Sequence, residues 1–272
     1  MNAAQVAAIQ MTSTADVAEN LAQAALLVAQ AAEQGAVVAA LPENFAFMGR
    51  TSADKLAIAE APGEGPIQEF LARTAERHRL MVVGGTVPLR IEGDATHVAA
   101  ASLVYEAGGR CAARYDKIHL FDVDLPDATE SHRESAHVAP GGRPAVIDTP
   151  AGRLGLAVCY DVRFPELFRL LVAQGAEWFV LPSAFTVPTG EAHWEALLRA
   201  RAIENLAFLA APAQVGRHAG GRETYGHTLI VDYWGRILGR RPAGPGCVVA
   251  ALDRTAQAQA RDRFPALRHR TL

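Results

Sequence analysis

Residues 153–167 read RLGLAVCYDVRFPEL, and this stretch decides the fold. Leu154 to Val158 is an apolar run without polar alternation, the pattern of a strand covered on both faces. The run stops at Cys159. Phe164-Pro165-Glu166 then reads as a helix start: Pro165 suits the first helical position, and Glu166 sits near the positive end of the helix dipole. A buried strand running into a helix is the unit of a layered α/β fold. It sets the Cys159 thiol at the carboxyl edge of a sheet, where open α/β sheets place their ligands. Backbone N–H groups just beyond can stabilise a thiolate or a developing oxyanion. Composition alone favours a buried structural cysteine.

The same unit recurs on either side. Val6 to Met11 reads as a strand, followed by a helix capped at Ser13 or Thr14, with apolar Val17, Leu21, Ala24 and Val28 on one face and Gly35 at its end. Ala36 to Leu41 is a second strand, running into Pro42-Glu43. A helix around Ile67 to His78 precedes a strand at Leu80–Val87. After Cys159, a helix from Pro165 to Ala173 closes at Gly175 before a strand at Glu177–Leu181. Other segments are hairpins: Val98–Glu106 with Arg110–Asp116 around Gly108-Gly109, and Thr228–Tyr233 with Arg236–Leu238 around Trp234-Gly235. Val248–Leu252 supplies a late strand. Helical crossovers mixed with hairpins predict an α/β fold, a four-layer α-β-β-α sandwich of two mixed sheets. No Pro-, Gly- or Ser-rich linker divides the chain, so one domain over residues 1–272 is expected.

The totals exclude several function classes. Half of the 272 residues are apolar and a fifth are charged, enough for a large core. A net charge of −3 gives no general attraction to nucleic acid or to anionic membranes, and no run is long and apolar enough to span a bilayer. The first residues lack a basic start followed by an apolar stretch and a cleavage site, so no secretory signal is expected. Three scattered cysteines form no disulfide framework, and the nine histidines show no zinc-like spacing with them, so a reduced, cytoplasmic compartment is expected. No phosphate-binding glycine loop occurs, and neither metal nor other cofactor is expected.

Three chemical groups stand at three strand ends: Glu43 after Leu41-Pro42, Lys117 after Tyr115-Asp116, and Cys159 after Val158. Singly, Glu43 is a helix-entry charge and Lys117 a solvated lysine. Together they suit nucleophilic catalysis. A thiol needs a base, for which Glu43 serves, and Lys117 can steady the anion formed when sulfur attacks a carbonyl. Glu134, in His132-Arg133-Glu134-Ser135, can orient Lys117 or a water; it equally reads as a loop carboxylate paired with Arg133. Arg163 can hold an anionic substrate tail bidentately, or pair with Asp161 or Glu166.

These segments resemble the nitrilase superfamily of carbon–nitrogen hydrolases from Val6 to about Asp253. The likeness is carried by LPENF at Glu43, YDKIHLFD at Lys117, RES and APGG at Glu134, and GLAVCYDVRFPEL at Cys159. The resemblance implies a Glu-Lys-Cys triad of Glu43, Lys117 and Cys159 assisted by Glu134, on an α-β-β-α sandwich. Within the superfamily, LPENFAFMG, AHWEALLRARAIEN and AQVGRH…GRETYGHTLIVDYWG are most similar to the branch of deaminated-glutathione amidases. The related ω-amidases, which act on 2-oxoglutaramate, tend to carry a different loop after the first glutamate and to lack Gly216-Arg217-His218. Tyr233 and Val215 depart from the usual pattern outside the triad. By the same resemblance Tyr160, Phe185 and Thr186 line a pocket for a small amide substrate, although Phe185 also reads as ordinary core. Tyr225 and His227 either contact the leaving group or close a loop, and a homodimer paired across helices beside the active-site strands is expected. A non-catalytic binding protein on the same scaffold would show its loss of function at one of the three triad positions, and all three are intact. A thiol sensor built on Cys159 would want a resolving cysteine nearby in sequence, and none is present.

Overall fold

A computed structural model describes residues 3–124 and 131–271. Its helices are Val17–Glu33 (α1), Asp54–Ala57 (α2), Pro66–His78 (α3), Pro165–Ala173 (α4), Val187–Asn205 (α5) and Arg254–Arg263 (α6). Ala4–Gln10, Val38–Ala40 and Met81–Val83 run parallel, with Val6, Val38 and Met81 side by side. Gly246–Leu252 pairs antiparallel with the first of these, and Asp94–Tyr105 with the last. Among the described residues this sheet has eight strands, and a second sheet has six, running from Ala145–Thr149 through Gly152–Leu156 and Trp178–Val180 to Phe208–Ala211, Thr228–Val231 and Ile237–Arg241.

Strand periodicity sorts the apolar side chains between layers. Val6 and Ala8 pack with Leu154, Trp178 and Phe208 of the second sheet. Their neighbours Ala7 and Ile9 pack with Leu27 and Val28 of α1 and with Ile67 and Leu71 of α3. On the far side of the second sheet, Phe168 of α4 meets Phe179 edge-on at 5.0 Å, and Trp194 and Leu198 of α5 are buried in the same core. The result is the expected helix–sheet–sheet–helix sandwich. Several strands are only three residues long, so packing holds them: each fully buried Val, Leu or Phe contributes about 1.5–3 kcal/mol.

Two local expectations are corrected. The cap of α1 is Asp16, whose carboxylate accepts the Glu19 N–H at 3.0 Å; Thr14 instead accepts from the Asp16 N–H at 3.2 Å. The strand expected at Leu80–Val87 ends at Val83 and a new one begins at Val87. Gly85 breaks it: at φ 48° it passes so close to Pro42 that a Cβ would lie 2.0 Å from the Pro42 carbonyl oxygen. This turn brings Thr86 Oγ1 within 2.8 Å of the Asn44 N–H, which it accepts, and so braces the backbone beside Glu43.

Candidate active site

The carboxyl ends of four segments converge at one end of the sandwich. Glu43 lies just past Val38–Ala40, Lys117 just past Cys111–Asp116, Cys159 just past Gly152–Leu156, and Phe185 and Thr186 past Trp178–Val180. The backbone around Lys117 is fixed on both sides: its N–H donates to Ala100 O at 3.0 Å, and its carbonyl accepts the Gly141 N–H at 2.8 Å. A Cβ on Gly141 would sit 2.1 Å from Asp116 O, which explains the glycine in the Pro140-Gly141-Gly142 motif. Cys159 takes a left-handed φ of 47°, a strained conformation for a residue with a side chain, at the point where strand gives way to a helical turn. Its N–H donates to Pro182 O at 2.9 Å.

The charged groups form a compact buried cluster. Lys117 Nζ donates to Glu43 Oε1 at 2.8 Å and to both Glu134 oxygens at 3.0 and 2.8 Å. Lys117 is 1% exposed and Glu43 5%, so these are desolvated, charge-assisted bonds. Glu134 also accepts the Phe121 N–H at 2.7 Å, while Arg133 turns away to Asp124 at 2.8 Å. Of the two readings of Glu134, the geometry thus matches the partner of Lys117. Burial alone would lower the Lys117 ammonium, but the Glu134 and Glu43 carboxylates together hold it well above its usual value. Burial would raise the Glu134 carboxyl, and the neighbouring Lys117 and Lys55 hold it below the ordinary range. The Cys159 thiol is pushed up by burial first and by the Glu43 charge second, against Lys117 and the Ala184 N–H, which favour the thiolate. At rest it is a thiol beside a base, so its proton must leave as sulfur attacks.

A cavity of about 500 Å³ opens over this cluster. Glu43, Lys117, Glu134, Cys159, Tyr160, Arg163, Phe185 and Thr186 all line it, so the structure brings every expected site residue to one place. The Arg163 guanidinium carbon lies 5.7 Å from the Tyr160 ring centroid and 5.6 Å from that of Phe185, and its terminal nitrogens lie 3.3–3.4 Å from His193 Nδ1. Among the described residues it has no ion pair with Asp161 or Glu166. The Arg199, Arg201 and Glu204 charges are structural: Arg201 pairs with Glu204 at 2.7 Å and donates to Val162 O at 2.7 Å.

Some residues do less than their motifs suggest, and others do more. His218 is buried beneath the site, 2.8 Å from Ser13 O and 2.7 Å from Thr224 Oγ1, and burial lowers its proton affinity. Tyr225 stacks on His227 at 4.1 Å, and neither lines the cavity. Asp161, expected only as an alternative partner of Arg163, is a fully buried carboxylate with other partners. It accepts from Tyr115 Oη at 2.7 Å, from the His119 N–H at 3.1 Å and from the Val158 N–H at 2.8 Å, with His119 Nδ1 at 2.7 Å. These bonds staple the residues on either side of Lys117 to those beside Cys159. Its place two residues after the cysteine was the available signal. Lys55, on α2, also lines the cavity. Among the described residues, no group of three or more His, Cys, Asp or Glu is placed to hold a metal ion.

A carbon–nitrogen hydrolase family model matches residues 5–262. A protein of Yersinia enterocolitica named deaminated glutathione amidase is 42% identical over 99% of this chain and 93% of its own length. Of the solved structures, the NitFhit protein of C. elegans superposes with a TM-score of 0.93 at 35% identity; all of this chain is covered, and 66% of that one. An amidase from Nesterenkonia sp. AN1, solved with acrylamide added to its active-site cysteine, superposes with a TM-score of 0.79 at 28% identity, over 96% of this chain and 98% of its own. A match over nearly the whole length, with high identity to named members, is decisive: the chain belongs to the carbon–nitrogen hydrolase family.

Proposed function

We propose that this protein is a cysteine-dependent amidase that hydrolyses deaminated glutathione to 2-oxoglutarate and cysteinylglycine. The observation that carries the reading is the buried Lys117, bonded to Glu43 and Glu134 beside the Cys159 thiol at the floor of a cavity. The 42%-identical relative named deaminated glutathione amidase points to the substrate.

The chemistry runs in two halves. Cys159 sulfur attacks the amide carbonyl carbon as Glu43 takes the thiol proton, and the oxyanion forms beside the Lys117 ammonium. Collapse breaks the C–N bond; the amine leaves with the proton from Glu43, and a thioester to Cys159 remains. Glu43 then takes a proton from water as the hydroxyl oxygen attacks the thioester. The second collapse expels the sulfur, which regains the proton from Glu43. Glu134 keeps Lys117 charged and oriented throughout.

The 2-oxo acid end carries a carboxylate, and Arg163 is placed to hold it. Its planar fork lies against two aromatic rings beside Cys159, and its Nε is buried without a hydrogen-bond partner. Arg163→Lys loses the bidentate geometry and is expected to raise KM by about tenfold, with a smaller change in kcat. Unchanged KM would place the acid tail elsewhere.

No helix is long and apolar enough to cross a membrane among the described residues, and Cys111, Cys159 and Cys247 are all free thiols, which suits a reducing cytoplasm. Pairing into a homodimer across α4 and α5 is part of the same reading: Leu170 and Ile203, on those helices, are 53% and 46% exposed.

The test is release of 2-oxoglutarate from deaminated glutathione and from 2-oxoglutaramate by the purified enzyme. Faster release from the former is expected. Faster release from 2-oxoglutaramate would make this an ω-amidase, and release from neither would overturn the assignment.

A further inference from the structure

Beyond the cluster around Cys159, the cavity is lined by further cations. Arg50, Lys55, Arg163 and Arg222 all border it, and among the described residues none is in an ion pair. The chain as a whole is acidic, at −3, so this concentration of positive charge is local. A cavity of this kind attracts an anion with more than one charge.

The cations sit on different walls. Arg163 belongs to the second sheet, in the turn after Gly152–Leu156. Lys55 belongs to the first sheet's side, on α2, beside Asn44, Phe47 and Thr86. That short helix is pinned: the Asp54 carboxylate accepts the Arg50 N–H at 2.7 Å and the Thr51 N–H at 3.1 Å, and Thr51 Oγ1 donates to it at 2.7 Å. Across the opening, Gly220 at φ 77° lets the 218–222 loop approach so closely that a Cβ would lie 2.6 Å from Arg50 O. Two loops from opposite ends of the chain thus meet and bring Arg50, Lys55 and Arg222 to one side of the cavity mouth.

Glu43 decides which half of the substrate lies on that side. As the group that protonates the departing nitrogen, it must face the leaving amine. Lys55 borders the same cavity as Glu43, Glu134 and Arg222; burial lowers its ammonium from the ordinary value, and the Glu134 and Glu43 charges favour the ammonium. We propose that Lys55, supported by Arg222, is the subsite for a second substrate carboxylate, carried by the leaving group, while Arg163 holds the first. This deepens the amidase reading and rests on it. Deaminated glutathione carries carboxylates on both halves, at the 2-oxo acid and at the terminal glycine. The ammonia lost from 2-oxoglutaramate carries none. Lys55 therefore separates the two substrates.

Three substrates and one variant test this: deaminated glutathione, its glycine carboxamide, and 2-oxoglutaramate, each with wild type and Lys55→Gln. A charge-assisted bond lost to a neutral group costs about tenfold or more in affinity. In wild type the carboxamide is expected to raise KM by about tenfold over the free acid. Lys55→Gln is expected to abolish that difference, and to raise KM for deaminated glutathione at least about fivefold more than for 2-oxoglutaramate. A wild-type enzyme indifferent to the carboxamide overturns the subsite without any variant. So does an equal loss on deaminated glutathione and 2-oxoglutaramate carried by kcat and a shifted pH profile, which assigns Lys55 to tuning Glu43 and Glu134. Release of 2-oxoglutarate without the KM split sinks the subsite alone; no release from any substrate sinks the amidase reading with it.

Discussion

Replacing Cys159 with alanine is expected to lower kcat for amide hydrolysis by about 10⁴-fold or more, while moving the melting temperature by only a few degrees. The loss is large because Cys159 is the one thiol among the described residues lining the cavity, and Glu43 and Lys117 are paired to each other at 2.8 Å. The stability change is small because one buried sulfur is removed from a site that is already partly open to the cavity. Backbone strain at φ 47° is present in both proteins and cancels. Intact mass after a brief mixing with substrate separates the steps: wild type should show the thioester and the variant none. A variant that keeps more than about a hundredth of the wild-type rate would remove the sulfur from the mechanism. A variant that fails to fold would instead make Cys159 a packing residue, the reading that composition alone favours.

The layers of the fold were legible because they rest on periodicity. In Val6–Met11 and Leu154–Val158, apolar runs too long for a half-exposed strand could only be buried on both sides. The triad was legible because each member follows directly on such a run. What sequence could not place was anything set by contact across the fold. The break at Gly85 exists because Pro42, more than forty positions away, passes over it; in sequence it reads as a continuing strand. Asp161 looks like one more charge in a turn, and only the folded chain brings Tyr115 and His119 to its oxygens. Lys55 sits in a polar segment where a solvated lysine is the ordinary expectation. His218 belongs to the Gly216-Arg217-His218 signature of the branch, and the structure turns it inward to Ser13 and Thr224. Motif and role part company where a loop is braced from beneath.

Lys117→Met is the second large effect, and it acts on stability as well as on rate. The substitution keeps most of the volume but removes three hydrogen bonds and leaves Glu43 and Glu134 facing each other without a cation between them. Breaking a buried pair from one side costs roughly 3–5 kcal/mol, or about 10 °C in melting temperature for a chain of this size. The deficit depends on pH with a defined sign. In wild type the Glu134 carboxyl is held below its ordinary value of 4.5, so its contribution is present above that pH and is lost as pH falls through the depressed value. Lys117 is held above its ordinary 10.5, so its contribution is complete below that pH and fades only in strong alkali. The cluster therefore stabilises fully between about pH 5 and pH 10. Without Lys117, burial raises the Glu134 carboxyl, and its protonation relieves the variant as pH falls. The melting curves of wild type and variant are expected to lie furthest apart near pH 8 and to converge toward pH 4–5. A gap that stays constant over that range would mean that the loss comes from packing and not from charge. Activity should fall by about 10³-fold or more at every pH, because Lys117 is the cation paired with Glu43 at the cluster beside Cys159.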